Sequence, residues 1–202
     1  MQSRLYIHLF WLSGLLCCLG CKQTPGPVAE WQRVTIANLY AVDLPTTFEM
    51  GFDMHEYAQL QYYDLEHSIF LLGIEDAKEN LGDIKRRRLK LRGYFTFVED
   101  IVMEAADTSL IEASAQMALS GTGQRPARFC DYWVGQYEGT DIPLFYRIAV
   151  YESPDYFFQL VFWMPYENHC QYYPTIEKIS QSFTLLPGAM GDQKLTPSLT
   201  GQ

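Results

Sequence analysis

Three histidines in the body of the chain each stand beside another potential metal ligand. The pairs are Asp53 with His55, Asp64 with His67, and His169 with Cys170. A zinc site needs three or four such ligands at recognisable spacings. No two of these pairs are separated by a recognised zinc-site spacing. The sequence therefore favours surface or capping roles for the histidines. We expect no metal and no cofactor.

The sequence also shows no recognised motif for a catalytic nucleophile. The sequence contains no nucleophile elbow, phosphate-binding loop or zinc-protease helix. A thiolate at Cys130 would need a neighbouring base and a lowered pKa, and no pattern places a histidine beside it. The expectation is therefore a protein that is not an enzyme. The alternative is a hydrolase or thiol enzyme without a recognisable motif.

Two cysteines, Cys130 and Cys170, lie in the body of the chain. A disulfide between them would close a loop of about 40 residues and stabilise the fold by roughly 4 kcal/mol. Sequence alone does not show whether their Cα atoms approach closely enough. The sequence is compatible with both interpretations, a disulfide and a pair of buried, inert thiols.

One short segment concentrates positive charge. It contains six of the chain's 15 basic residues, which are Lys85, Arg86, Arg87, Arg88, Lys90 and Arg92. Such a run can dock on anionic head groups or on an acidic partner. The favoured interpretation is a solvated helix face whose charges pair with nearby acids. Those acids are Glu75, Asp76, Glu79 and Asp83.

Tyrosine and tryptophan are frequent in the second half of the chain. The residues are Tyr132, Trp133, Tyr137, Trp163, Tyr166, Tyr172 and Tyr173. Their rings offer flat apolar faces with polar edges, and they could line a groove for a glycan or a peptide. Structural roles in the core and edges of a sheet are favoured.

The first 20 residues have the composition of an export signal. Arg4 is followed by an apolar stretch over residues 9–19, which is short for a membrane span, and then by Gly20 and Cys21. The ending Leu-Cys-Cys-Leu-Gly-Cys resembles the lipobox of bacterial lipoproteins, which implies that Cys21 is lipidated and becomes the new N-terminus. Cys18 stands where that family usually has Leu, so Cys17 and Cys18 remain weaker alternative acceptors. An ordinary secretory signal or an uncleaved anchor is the other alternative.

The resemblance to lipoproteins implies several acyl chains at Cys21, which is enough for stable attachment to a membrane. Residues 21–31 then form a polar tether that contains Pro25 and Pro27. Lys22 follows the lipidated position and favours the outer membrane over the inner one in a cell that has both. Residues 188–202 show no hydrophobic periodicity, and a disordered tail is predicted there.

The rest of the chain, residues 32–187, has the composition of one folded domain. The sequence is 48% hydrophobic and 15% aromatic, and its formal net charge is −9. An acidic surface repels phosphate backbones, so nucleic acid is excluded as a partner. The expected partners are the membrane, through the lipid, and another envelope protein or a small ligand.

Hydrophobic periodicity predicts an α+β domain with an antiparallel sheet and flanking helices. One or two strands are expected over residues 32–44, and a hairpin is expected over residues 58–74. Residues 94–105 have the clearest amphipathic helical pattern, after a charged segment of helix and loop over residues 75–92. A three-stranded meander is predicted over residues 127–164, and Pro174 is predicted to open a final helix that Pro187 and Gly188 end.

This order of elements over residues 32–186 resembles the PsbP-like superfamily. The similarity rests on the strand ending Asp43-Leu44-Pro45, on residues 141–150 and 156–163, and on the closing helix that ends near Phe183. The resemblance implies an α/β/α sandwich that acts in binding or assembly. It carries over no set of functional residues.

Overall fold

A computed structural model describes residues 30–81, 90–104, 111–113, 117–119, 127–134 and 142–189. The predicted signal peptide, Cys21 and most of the tether lie outside the described residues. So do Lys85, Arg86, Arg87 and Arg88 of the basic run, and residues 190–202 of the predicted tail.

A three-stranded sheet begins the fold. Strands β1 (Trp31–Ile36) and β2 (Tyr40–Pro45) pair antiparallel, and the short β11 (Thr184–Leu185) joins the other side of β2. The turn between β1 and β2 places Ala37 and Asn38 at positive φ, the backbone conformation that suits tight hairpins. Of the one or two strands expected over residues 32–44, two are present, and they form a hairpin.

The main sheet is antiparallel and has the strand order β3-β4-β5-β10-β9-β8-β6, with β7 also paired to β8. Its strands are β3 (Glu49–Met50), β4 (Leu60–Asp64), β5 (Ile69–Ala77), β6 (Ile111–Ala113), β7 (Met117–Ala118), β8 (Ala127–Val134), β9 (Leu144–Glu152) and β10 (Tyr156–Pro165). The predicted hairpin is β4–β5 and the predicted meander is β8–β9–β10. Both are confirmed.

The charged segment over residues 75–92 differs from its prediction. Strand β5 continues to Ala77, because pairing with β10 extends as far as Tyr156 opposite Ala77. A single 3₁₀ turn, Lys78–Leu81, follows. Glu75 and Asp76 therefore belong to a strand and not to a solvated helix.

Helix α1 (Leu91–Glu104) packs on one face of the main sheet. Its buried residues are Leu91, Tyr94, Phe95 and Val98, which follow the i, i+3, i+4, i+7 spacing of one helical face. They form a cluster with Cys130, Ile148, Val150 and Phe157 of the sheet. The ring of Tyr94 stacks on Phe157, and its hydroxyl donates a hydrogen bond to Asp76. The amphipathic pattern over residues 94–105 therefore predicted this helix, which begins three residues earlier and leaves Ile101 of the expected apolar side 53% exposed.

Helix α2 (His169–Ser182) packs on the opposite face together with the small sheet. It begins five residues earlier than predicted, so Pro174 lies inside the helix and does not open it. A 3₁₀ turn, Tyr166–Asn168, leads directly into the first α-turn, so the helix is already formed when the chain reaches Pro174. Ile176 and Ile179 are buried on its inner side, as their spacing predicts.

The chain remains packed slightly beyond the predicted end of the domain. The amide of Gly188 donates to the carbonyl oxygen of Asn38, and Ala189 is fully buried. The predicted tail therefore starts two residues too early, because a 3₁₀ turn at Pro187–Ala189 closes over the first hairpin.

The result is a layered α+β fold, as the periodicity predicted. The small sheet and α2 cover one face of the main sheet and α1 covers part of the other face. Among the described residues, no helix has the length and apolar character needed to cross a bilayer.

Gly73 marks the closest approach between the main sheet and β2. A Cβ atom at this position would lie 2.6 Å from the hydroxyl oxygen of Tyr40 and 2.9 Å from the Cβ of Leu60. A Cβ at Gly51, in contrast, would meet mainly the flexible end of Met54. The surroundings of Gly51 can therefore accommodate an added Cβ atom more easily than those of Gly73.

We predict that Gly73→Ala lowers the free energy of unfolding by about 2 kcal/mol, because overpacking of a core costs about 1–3 kcal/mol. Gly51→Ala serves as the control and should cost less than about 1 kcal/mol. Urea unfolding of the three proteins measures both values. Equal losses would contradict the close packing of β5 against β2.

Glu75 is a half-buried residue of β5 that lies near Tyr40 of the small sheet. Its two carboxyl oxygens are turned away from solvent. Burial, with a smaller contribution from the charge of Asp76, raises the pKa of Glu75 to about 7. Because this pKa is higher in the folded than in the unfolded protein, the folded state binds the extra proton, and stability falls as the pH rises from about 4.5 to 7.

We predict that Glu75→Gln removes this loss of stability. At pH 8 the variant should be more stable than the parent by about 1–2 kcal/mol, a value reduced from the full pKa difference because solvent screens a half-buried group. At pH 5 the difference should be small. Urea unfolding between pH 5 and 8 measures it, and Glu49→Gln on the exposed strand β3 is the control. A parallel pH dependence in parent and Glu75→Gln would rule out the buried carboxyl as its source.

Candidate functional site: an aromatic row on the main sheet

Four aromatic side chains stand in one line across the main sheet. Tyr63 on β4 pairs directly with Phe70 on β5, Phe70 pairs with Trp163 on β10, and Trp163 pairs with Tyr146 on β9. We call Tyr63, Phe70, Trp163 and Tyr146 the aromatic row. The backbone of Tyr132 on β8 lies opposite Tyr146 and continues the same line.

Three rings of the aromatic row stack on one another. The ring centroids of Phe70 and Trp163 are 5.2 Å apart with their planes 9° from parallel, and those of Trp163 and Tyr146 are 6.5 Å apart at 24°. Neighbouring strands are about 4.8 Å apart, so the four residues span about 14 Å. Tyr63 extends the line through its backbone pairing with Phe70.

The aromatic row lies on the α1 face but extends past the helix. Side chains alternate along a strand, so Trp163 shares the face of Phe157, which packs under α1. Tyr63, Phe70 and Trp163 belong to neither buried cluster, and each keeps part of its ring exposed. The row is therefore a partly exposed aromatic surface, and aromatic residues are enriched at protein contact sites.

The sequence identified only part of this surface. Of the aromatic residues noted for a groove, Trp163 is in the row, and Tyr166, Tyr172 and Tyr173 lie at the start of α2. Tyr137 is outside the described residues. Tyr63, Phe70 and Tyr146 were missed because they come from three separate strands, and only strand register brings them together.

The basic run is described only in part. Lys90 precedes α1 and Arg92 is its second residue, and both are exposed. The other four basic residues lie outside the described chain, so the docking patch stays a prediction. The proposed pairing with acids is not tested either, and the described contact of Asp76 is a hydrogen bond that its carboxylate accepts from Tyr94.

Cys130 and Cys170 lie on opposite faces of the main sheet. Cys130 is buried under α1, whereas Cys170 is exposed on α2. The structure does not join the two sulfurs. The disulfide that the sequence left open is therefore not formed, because the pleat of β8 turns Cys130 away from the face on which α2 lies.

The described histidines have local partners. His67 Nδ1 lies 2.9 Å from the carboxylate of Asp64, and His55 Nδ1 accepts a hydrogen bond from the amide of Tyr57. No group of three or more potential metal ligands occurs among the residues that the structure describes. Both histidines therefore make contacts within their own turns.

Arg147 is the most unusual buried residue. It is fully buried on the α2 face, 3.8 Å from the carboxylate of Asp131 in the neighbouring strand. Its guanidinium lies over the ring of Phe129, 4.0 Å from the centroid, and 5.1 Å from that of Tyr173. Tyr173 donates a hydrogen bond to Asp131, whose pKa is raised by burial despite the neighbouring Arg147.

A polar cavity of about 470 Å³ lies beside the ends of β5 and β9. Its lining includes Lys78 and Glu152, whose side chains are 2.7 Å apart. Lys78 also donates to the carbonyl oxygen of Ser153 and lies over the Phe157 ring. Because these contacts already use its ammonium group, Lys78 is not available to bind an anionic ligand in this cavity.

Comparisons with known proteins give a likeness in structure and none in sequence. No protein-family model matches the chain, and no curated protein matches it significantly. Two solved structures resemble it over most of its length. CyanoP, the cyanobacterial PsbP of Synechocystis sp. PCC 6803, is 12% identical with a TM-score of 0.54, covering 83% of this chain and 99% of its own. LpqN of Mycobacterium tuberculosis, described as involved in cell envelope biogenesis, is 10% identical with a TM-score of 0.53, covering 81% and 88%.

At such low identity these likenesses concern the fold alone. The antiparallel main sheet between two helical layers agrees with the architecture that the order of elements suggested. The chain therefore has a PsbP-like α+β fold.

Proposed function

We propose that this chain is a membrane-tethered binding or assembly factor of the cell envelope, attached through Cys21, and that the aromatic row contacts another envelope protein. The leader that ends at Cys21 supports the tether. The structural likeness to LpqN, itself described as involved in envelope biogenesis, is consistent with an envelope role.

The aromatic row is the observation on which the proposal rests. Tyrosine and tryptophan are enriched at the centres of protein interfaces, where a few such residues supply most of the binding energy. Trp163 stands in the middle of the row, stacked against Phe70 on one side and Tyr146 on the other. Stacking holds these rings in place before binding, so little conformational entropy would be lost.

The shape of the surface favours a protein partner over a small ligand. Small-molecule sites are concave and bury most of the ligand, whereas the row lies on the face of a sheet. The described cavity near Lys78 is polar and separate from the row. The net charge of −9 opposes nucleic acid as a partner.

We predict that a photoreactive phenylalanine analogue at position 70 crosslinks a defined envelope protein in intact cells. The same analogue at the exposed Tyr166 position should not capture it, because that residue lies in the turn before α2, on the other face of the main sheet. Once the partner is purified, Trp163→Ala should weaken its binding by about 2 kcal/mol, or about 30-fold.

Tyr166→Ala is the matched control for the binding measurement, since Tyr166 is an aromatic side chain that is 40% exposed beside α2, on the other face of the main sheet. It should leave the affinity unchanged. Equal effects of Trp163→Ala and Tyr166→Ala, or a partner captured equally from positions 166 and 70, would argue against the aromatic row as the contact surface.

The tether has a separate test. Cells fed labelled palmitate should label the parent protein and Cys18→Ser but not Cys21→Ser, because the acyl chains attach to the Cys21 sulfur. Cys21→Ser should also leave the membrane fraction, since the lipid supplies about 0.8 kcal/mol per buried CH₂. Persistent label in Cys21→Ser would mean that another cysteine carries the lipid, and an unlabelled parent would exclude the lipoprotein proposal.

A further inference from the structure

The start of α2 brings a thiol and an imidazole together at the surface. Cys170 is exposed, and its Sγ lies 3.4 Å from Nε2 of His169. Sequence reasoning considered this pair only as metal ligands and considered a thiolate only at Cys130. The structure places Cys130 under α1, where it is 1% exposed, and leaves Cys170 accessible.

The hydrogen bonds of His169 determine which of its ring nitrogens can accept the proton of the thiol. Nδ1 is hydrogen-bonded to the carbonyl oxygen of Tyr166. A carbonyl oxygen only accepts, so Nδ1 carries the hydrogen, and in the neutral ring Nε2 has the free lone pair. Nε2 is therefore positioned to accept the proton of the Cys170 thiol.

The imidazole is also fixed in orientation. Its ring stacks on Tyr166 at a centroid distance of 4.3 Å and on Phe145 at 5.5 Å. A nucleophile, a base within reach and a third group that orients the base are the arrangement that activates a thiol. The carbonyl of Tyr166 is the orienting group here.

The positive end of α2 also lies beside the thiol. Cys170 is the second residue of a 14-residue helix, and the positive end of a helix stabilises a thiolate. Glu167, in the 3₁₀ turn just before the helix, is a negative charge that acts in the opposite direction. The contact between Cys170 Sγ and His169 Nε2 is therefore the main support for proton transfer from sulfur to nitrogen.

We propose that Cys170 is a site of thiol–disulfide exchange, with His169 as its base. Nε2 takes the thiol proton, and the thiolate attacks one sulfur of a substrate disulfide. A new bond forms between Cys170 Sγ and that sulfur while the substrate's own S–S bond breaks. The other substrate sulfur leaves with the electron pair and takes up the proton, so the disulfide is the oxidant and the product is a mixed disulfide.

The test is the rate of reaction with dithiodipyridine, a small disulfide whose released thiol absorbs light, measured on the full chain between pH 5 and 10. The signal of Cys170 is the phase that is missing in Cys170→Ser. Its rate should rise with a midpoint at least one pH unit below the value of about 8.5 for an ordinary thiol. In His169→Gln the midpoint should return towards 8.5, and the rate at pH 7 should fall about fivefold.

His55→Gln, which changes a histidine whose Nδ1 accepts a hydrogen bond from the amide of Tyr57 in another loop, is the matched control and should leave the profile unchanged. Thermal unfolding checks that the variants fold. If His169→Gln does not fold, the pH midpoint of the Cys170 reaction in the parent protein tests the proposal by itself. A midpoint near 8.5 overturns the proposal. An identical profile for His169→Gln and parent overturns it as well.

Two kinds of disulfide share this chemistry, and non-reducing analysis of the protein from cells distinguishes them. A small increase in mass that Cys170→Ser abolishes identifies a low-molecular-weight thiol. A large adduct that Cys170→Ser abolishes identifies a protein. Because this experiment does not involve the aromatic row, its outcome is independent of the proposed binding function.

Discussion

The register of strand β10 is the constraint on which the rest of the structure depends. It pairs with β5 on one side and β9 on the other, and most of its residues are buried. Its alternate residues Phe158, Leu160 and Phe162 face α2 and the small sheet, while Phe157 faces α1. A shift of one residue would exchange these two sets and turn Trp163 to the other face. The two cores and the aromatic row are therefore determined together.

The buried pair of Arg147 and Asp131 constrains the neighbouring strands in a similar way. The two residues lie directly opposite each other in β9 and β8. Breaking a buried ion pair costs about 3–5 kcal/mol, because the remaining charge is left without compensation in the core. Any other pairing of β8 with β9 would separate these charges. The pair therefore favours the observed register even though burying it contributes little net stability.

Local patterns in the sequence predicted the elements well where one face of an element is apolar. The spacing of Tyr94 and Val98 identified α1, and the turn at Ser153 and Pro154 separated β9 from β10. Prediction was less successful where tertiary contacts override local preference. Pro174 is inside α2 because a preceding 3₁₀ turn starts the helix at His169, and β5 reaches Ala77 because β10 supplies its hydrogen bonds.

The candidate sites were harder to predict than the fold, for a physical reason. The aromatic row combines residues that are up to 100 positions apart, and no local periodicity records which strands are neighbours. The contact between Cys170 and His169 is local, but its meaning depends on the carbonyl of Tyr166, which only the backbone conformation reveals. Sequence reasoning supplies residue types, while strand register and backbone geometry determine which of them act together.

The layers of the fold also relate the proposed tether to the proposed contact surface. Trp31, the first residue of β1, belongs to the small sheet, which lies on the α2 face of the main sheet. The aromatic row lies on the other face. The main sheet therefore stands between the point where the tether enters the fold and the surface that meets the partner. About ten residues separate Cys21 from Trp31, enough to reach about 33 Å when extended. With this attachment the domain can present the aromatic row away from the membrane, so the lipid and the partner need not compete for the same face.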